Sequence, residues 1–166
     1  MDNLDAEDME KLIDRQAAAL ELFARQWVES SAADVVQSAF VKLANASVPA
    51  EKIVPWLYRV VRNGAVSAAR SEMRRKRHEI NRSEMDRGWF VSHPEDRLDG
   101  MEAAKELAQL PSSQREVIVA RLWGELSFQE ISELLEISSS AAHRYYCAGL
   151  TTLRDKLGVT WLKNNP

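Results

Sequence analysis

PWLYRVVRNGAVSAARSEMRRKR, residues 55–77, is the stretch on which the fold of the whole chain turns. A proline at a helix start fixes φ and gives up an N–H that the first turn leaves unpaired anyway, so a helix opening at Pro55 is expected. At 3.6 residues per turn its side chains sort onto two faces. Leu57, Val60, Val61, Gly64, Ala65 and Ala68 fall on one; Trp56, Arg59, Asn63, Val66, Arg70 and Arg74 fall on the other. An apolar packing surface is thus backed by a basic face carrying an amide and an indole, the outline of a surface that reads nucleic acid. The same residues also describe a solvated surface helix with its Trp in the core, since charge runs are usually just hydrated. The stretch by itself leaves both open.

Its surroundings narrow the choice. A chain of 166 residues, 45% apolar and 28% charged, is ordinary for one soluble domain or two small ones. It contains no apolar run of the roughly 18 residues that a membrane span requires. Its first residues, MDNLDAEDME, are acidic where a secretory signal would be basic and then apolar, so the expectation is a cytoplasmic protein with no membrane insertion. The single Cys147 excludes an internal disulfide and a Cys-based zinc site. With only His78, His93 and His143, well separated in sequence, neither a metal site nor a Ser/His/Asp site has much to build on, and no catalytic residue, metal or cofactor is expected.

Net charge is −3, but it is unevenly spread. Residues 1–30 carry about −5, residues 31–77 about +6, residues 78–110 about −4, and the remainder about zero. A concentrated positive block can neutralise phosphates whatever the overall balance, while acidic flanks limit non-specific adhesion.

Helical spacing continues on both sides. Over residues 5–28, Met9, Leu12, Ile13, Leu20, Phe23 and Trp27 recur as an inner stripe. Ser30 or Ser31 is placed to cap a second helix, SAADVVQSAFVKLA, whose Val36, Ala39, Phe40 and Leu43 point inward. Its Asp34, Gln37, Ser38 and Val41 point outward, and Asp34 also suits a first-turn position on the helix dipole alone. The loop ANASVPAEKIV then delivers the chain to residue 55. Beyond Arg77 the text is polar, acidic and aperiodic, with Gly88, Pro94 and Gly100, and reads as a flexible linker over 78–100 with an unusual Trp89–Phe90 pair.

From Met101 helices return. Ser113 with Glu116, and Ser127 with Glu130, have capping-box spacing. Two short helices joined at LEIS and followed by a longer one have the layout of a helix-turn-helix, with Glu136 at the turn position that often holds Gly, and the last helix is expected to stop at Gly158. In that helix Ala142, Tyr146, Gly149 and Leu153 form an inward stripe. Ser140, Arg144, Cys147, Ala148 and Thr151 face out, with His143 and Arg154 on the flank. Arg144 is the one residue of the outward face able to bind a guanine edge with two hydrogen bonds. Cys147 lacks the cationic neighbours that would make it a reactive thiol and reads as a spectator.

AADVVQSAF (32–40), PWLYRVVRNGAVSAAR (55–70), RRKR (74–77) and LPSSQREVIVARLWGELSFQEISELLEIS (110–138), in this order and spacing, resemble the extracytoplasmic-function sigma factors of bacterial RNA polymerase. The resemblance covers roughly residues 5–158. It implies an all-α chain of two small helical domains joined by a flexible linker: 1–77 as sigma region 2, 78–100 as linker, and 101–166 as sigma region 4 with the helix-turn-helix. By position it implies that Asp34, Gln37, Ser38 and Val41 grip core RNA polymerase. Trp56, Arg59, Arg62, Asn63, Arg70, Arg74, Arg75, Lys76 and Arg77 then serve the minus-ten element, and the loop over 44–54 takes a flipped base. Ser140, His143, Arg144, Cys147, Ala148 and Arg154 serve the minus-thirty-five element. Implied partners are the clamp helices of the polymerase largest subunit, the flap of the second largest, promoter DNA, and in some members an anti-sigma factor. Three positions depart from the family pattern: Ser38 stands where Glu is usual, Ser67 where Asp is common, and Ala141–Tyr145 replace the usual start of the recognition helix. The alternative is a helix-turn-helix regulator that acts on DNA without joining polymerase.

Overall fold

A computed structural model describes residues 5–78 and 105–157. Among these residues the regular structure is helical: α1 (Ala6–Ala24), α2 (Ala32–Ala44), a 3-10 turn (Ala50–Lys52), α3 (Ile53–His78), a helical segment α4 described over 105–109, α5 (Ser112–Leu122), α6 (Phe128–Leu135) and α7 (Ser139–Leu157). The chain is therefore all-α, with one helical unit before the interval 79–104 and a second after it. The linker over 78–100, with Trp89 and Phe90, falls outside the described residues but for His78 at its start, and so does Gly158.

Local chemistry explains most helix ends. Asp5 caps α1 by accepting a hydrogen bond from the Asp8 N–H at 2.8 Å, and Glu7 and Asp8 complement the positive end of the helix dipole. The helix stops at Ala24 rather than continuing to Val28. Tightened bonds from the Gln26 and Trp27 N–H groups to the Phe23 and Ala24 carbonyls turn the chain while leaving Val28 buried. Ser31 does occupy the cap position of α2, but its hydroxyl makes no capping bond and donates instead to Glu72 on α3 at 3.1 Å. α3 begins at Ile53, two residues early, so Pro55 sits third in the first turn, where a missing N–H still goes unmissed. Its 26 residues make a rod of about 39 Å.

In the second unit one expected capping box forms and the other does not. Ser127 and Glu130 exchange both bonds, the Ser127 N–H donating to the Glu130 carboxylate at 2.8 Å and the Glu130 N–H to the Ser127 hydroxyl at 3.2 Å. The Ser113–Glu116 pair fails because α5 starts at Ser112 behind Pro111, which puts Ser113 inside the helix and frees the Glu116 side chain for another partner. The turn between α6 and α7 passes through Glu136 in the left-handed region, φ 56° and ψ 42°, a conformation that costs a non-glycine residue about 1–2 kcal/mol. Two bonds back to the Ser132 carbonyl, from the Glu136 and Ile137 N–H groups, help hold it.

α1, α2 and α3 pack mutually, as do α5 with α7 and α6 with α7. Leu20, Phe23, Val36, Ala39, Leu43, Leu57, Val61 and Ala65 fill the first unit; Val117, Ile118, Ile131, Ala142 and Leu153 fill the second. Each large side chain so buried contributes about 1.5–3 kcal/mol. The core is continuous between the units, because α1 meets α5 and α3 meets α6.

Candidate nucleic-acid interface

α3 presents the two faces that its sequence requires. Leu57, Val61 and Ala65 are buried, whereas Arg59, Asn63, Arg70, Arg74, Arg75, Lys76 and Arg77 are exposed. None of these cations forms an ion pair among the described residues, so the positive charge stands open to solvent. The last four also lie in the final turns of a helix, where cations are favoured by the dipole. Trp56 is half-buried and packs against the core.

Arg62 behaves differently from its neighbours. It is half-buried, and its Nε donates to the Glu116 carboxylate of α5 at 3.1 Å while its guanidinium lies 5.8 Å from the centre of the Trp27 ring. Burial pushes the Glu116 carboxyl above the ordinary carboxylate range, and the nearby guanidinium groups of Arg62 and Arg115 pull it back. Nothing in the spacing of α3 singles Arg62 out, because its partner is 54 residues away.

The outward residues of α2 are all on the surface: Asp34, Gln37, Ser38, and Val41 at 58% exposure. Asp34 and Ser38 also line a groove of about 650 Å³ between α2 and α3, shared with Lys42, Asn63, Ser67 and Ser71. The sequence separates these positions into two functions, yet the fold brings Asp34 and Asn63 to one depression. Gly64 makes the approach possible, since a Cβ there would stand 3.0 Å from Val35 Cγ1. Lys42 is a groove residue that the motif reading missed, although its spacing of one turn from Ser38 was available as a signal.

On α7 every residue expected to face out does so: Ser140, Arg144, Cys147, Ala148 and Thr151 are exposed, as are His143 and Arg154 on the flank. Ala142, Gly149 and Leu153 are buried and Tyr146 is half-buried. Ser138 caps the helix by accepting from the Ala141 N–H at 3.1 Å. The His143 ring is held edge-on to Phe128 at 5.1 Å, and the Cys147 sulfur lies 3.7 Å from His143 Nε2. Thr151 turns its hydroxyl back onto the Cys147 carbonyl, leaving a methyl outward. Arg144 has no ion-pair partner among the described residues. The result, among the described residues, is a nearly neutral helix face with one unpaired guanidinium near its N-terminal end.

Comparison with known proteins follows the same division. Residues 101–153 match the family model for sigma-70, region 4. Among solved structures, the chain is similar to the sigma factor RpoE in its co-crystal with the anti-sigma factor NepR from Bartonella quintana, with a TM-score of 0.72 and 19% identity over 93% of this chain and 99% of that one. It is also similar to CnrH in complex with the cytosolic domain of CnrY, with a TM-score of 0.55 and 23% identity over 93% of this chain and 90% of that one. At such identities the likeness is one of fold. No curated protein matches the sequence. No helix among the described residues is long and apolar enough to cross a membrane.

Proposed function

We propose that this chain, a sigma factor by its region 4 and by its fold, binds core RNA polymerase and directs it to two-element promoters that it helps to open. The observation that carries this is the pairing, on one chain, of a matched region 4 with an α3 whose exposed face holds Asn63 and, free of ion pairs among the described residues, Arg59, Arg70 and Arg74. Residues 1–77 act as region 2 and residues 101–166 as region 4, joined through 78–100.

Each face has a distinct task. The exposed Asp34, Gln37, Ser38 and Val41 of α2 dock on the clamp helices of the polymerase largest subunit, where an aliphatic surface ringed by polar groups is suited to a helical partner. α3 serves the minus-ten element. Opening a duplex requires a base to leave the stack, at a cost of a few kcal/mol that phosphate neutralisation and contacts to the extruded base must offset. Arg70, Arg74, Arg75, Lys76 and Arg77 supply the first, while Asn63, with donor and acceptor on one amide, and Trp56 with the loop over 44–54 supply the second. α7 enters the major groove of the minus-thirty-five element with Arg144 leading, helped by Ser140, His143, Cys147, Ala148 and Arg154, while the rest of region 4 meets the polymerase flap. A weakly charged reading helix suffices because polymerase holds both modules together and raises the effective concentration of the second. That RpoE was solved with an anti-sigma factor supports a protein inhibitor for this chain as well.

The decisive test of the polymerase partner is pull-down of purified core enzyme. Asp34→Ala with Gln37→Ala, both exposed, should weaken core binding at least tenfold with an unchanged helical circular-dichroism spectrum. Unchanged affinity would remove α2 from the docking face.

A further inference from the structure

One side chain on the cationic face of α3 is out of keeping with its neighbours. Met73 is 67% exposed. The residues beside it on the helix surface are Arg70, three positions before, and Lys76 and Arg77, three and four positions after. All three are exposed and without ion pairs among the described residues. Two turns back on the same side lies Val66, half-buried and, like Met73, outside the apolar core. Arg59, Val66 and Met73 thus recur every seven residues along one line, with Asn63 and Arg70 beside it. The only carboxylate of residues 64–77, that of Glu72, is occupied toward α2, where it accepts a hydrogen bond from the Ser31 hydroxyl at 3.1 Å.

Single apolar side chains are common on protein surfaces, so the exposure of Met73 decides nothing by itself. Its company does. Arg70 and Arg77 stand about 10 Å apart along the helix axis with Met73 between them. Cations in that position suit phosphates, and an apolar group set between them faces what a strand carries between its phosphates, the sugar and the base. A thioether on an unbranched stem adapts to irregular surfaces and contacts aromatic rings favourably. Methionine is among the side chains that proteins press against unstacked bases. A helical protein partner fits less well, because it would require apolar anchors at i, i+3, i+4 and i+7. Counted from Val66, the two middle positions are Ala69, packed on the core, and Arg70, so no continuous apolar seam runs along this face.

We propose that Met73 packs against an unpaired base of a single strand whose phosphates are held by Arg70 and Arg77, so that α3 favours a strand with bases over a bare sugar-phosphate chain. This rests on α3 being the nucleic-acid-binding helix of the proposed function, and it adds a base contact within the stretch otherwise left to the backbone.

The test uses the full chain at low salt and two fluorescein-labelled 20-nucleotide single strands, one of mixed sequence and one abasic throughout. Fluorescence anisotropy should show the parent binding the mixed strand more tightly than the abasic one. Met73→Ala should bind the mixed strand at least threefold more weakly than the parent and the abasic strand equally well, with an unchanged helical circular-dichroism spectrum. Met73→Leu, which restores an apolar side chain of similar size, should recover most of the loss. Arg77→Ala should weaken both strands alike and lower the slope of log affinity against log salt by about 0.7. If Met73→Ala binds both strands as the parent does, or loses both alike, the base contact is overturned. It is equally overturned if the parent binds the abasic strand or polyglutamate as tightly as the mixed strand, since the face then takes any polyanion. If the parent binds neither strand, the reading of α3 as a nucleic-acid face fails and the role of Met73 falls with it.

Discussion

In the proposed function, Arg144 concentrates the sequence-reading capacity of α7 in one side chain. Its guanidinium is exposed and unpaired among the described residues, and the surrounding Ser140, Cys147 and Ala148 offer no second group of comparable donor geometry. Arg144→Ala should therefore relax the upstream element's preference at a single base by about 1–3 kcal/mol, measurable as a flattened position in binding to a substituted promoter set. A profile identical to the parent's would remove Arg144 from base reading. The same proposal puts Arg59 and Asn63 at a different step. Their Ala variants should bind core polymerase normally yet lose permanganate reactivity in the bubble, because what they lose is contact to the opened strand. The exposure of these residues was legible from a 3.6-residue period alone. The engagement of Arg62 was not, because periodicity reports which face a residue occupies and carries no information on a partner 54 positions along the chain.

At the scale of the element, the same contrast recurs between the two capping boxes. Ser127–Glu130 and Ser113–Glu116 share the spacing, and only the first forms. The difference is Pro111, which starts α5 at Ser112 and so moves Ser113 off the cap position; the proline was visible, but its displacement of the helix start by two residues lies within the uncertainty of any boundary read from sequence. Ser127→Ala should cost about 1 kcal/mol, read as a lower urea midpoint at unchanged slope, whereas Ser113→Ala should cost a few tenths at most. Glu136 shows how tertiary context overrides preference. The turn demands a left-handed residue, glycine is the expected one, and the chain tolerates glutamate there because backbone bonds to Ser132 and the packing of α6 on α7 over-determine the corner.

At the scale of the whole molecule, the two units were legible and their contact was not. The division into helices before and after 79–104 follows from composition. The continuity of the core between the units, where Tyr58 lies against Gly124, depends on surfaces that meet only once both units have folded. That contact makes the chain sensitive to alkali. Burial raises the Tyr58 pKa well above its ordinary 10.0, so the folded chain holds the phenol proton more tightly than the unfolded one does. Its contribution is fully present below pH 10 and is lost as pH climbs toward the raised value, by up to about 1.4 kcal/mol per unit. Urea midpoints taken through that range should fall more steeply for the parent than for Tyr58→Phe. Parallel slopes would mean that the hydroxyl is already hydrated.

In the proposed function the residues of α2, α3 and α7 converge on one activity, and run-off transcription measures it. Purified chain added to core RNA polymerase on a library of promoters with randomised minus-ten and minus-thirty-five elements should yield transcripts from a restricted set sharing two motifs at fixed separation. Core polymerase alone should yield none of that set. A chain that binds DNA but adds no transcripts in the presence of core enzyme would contradict the account and leave a helix-turn-helix regulator in its place.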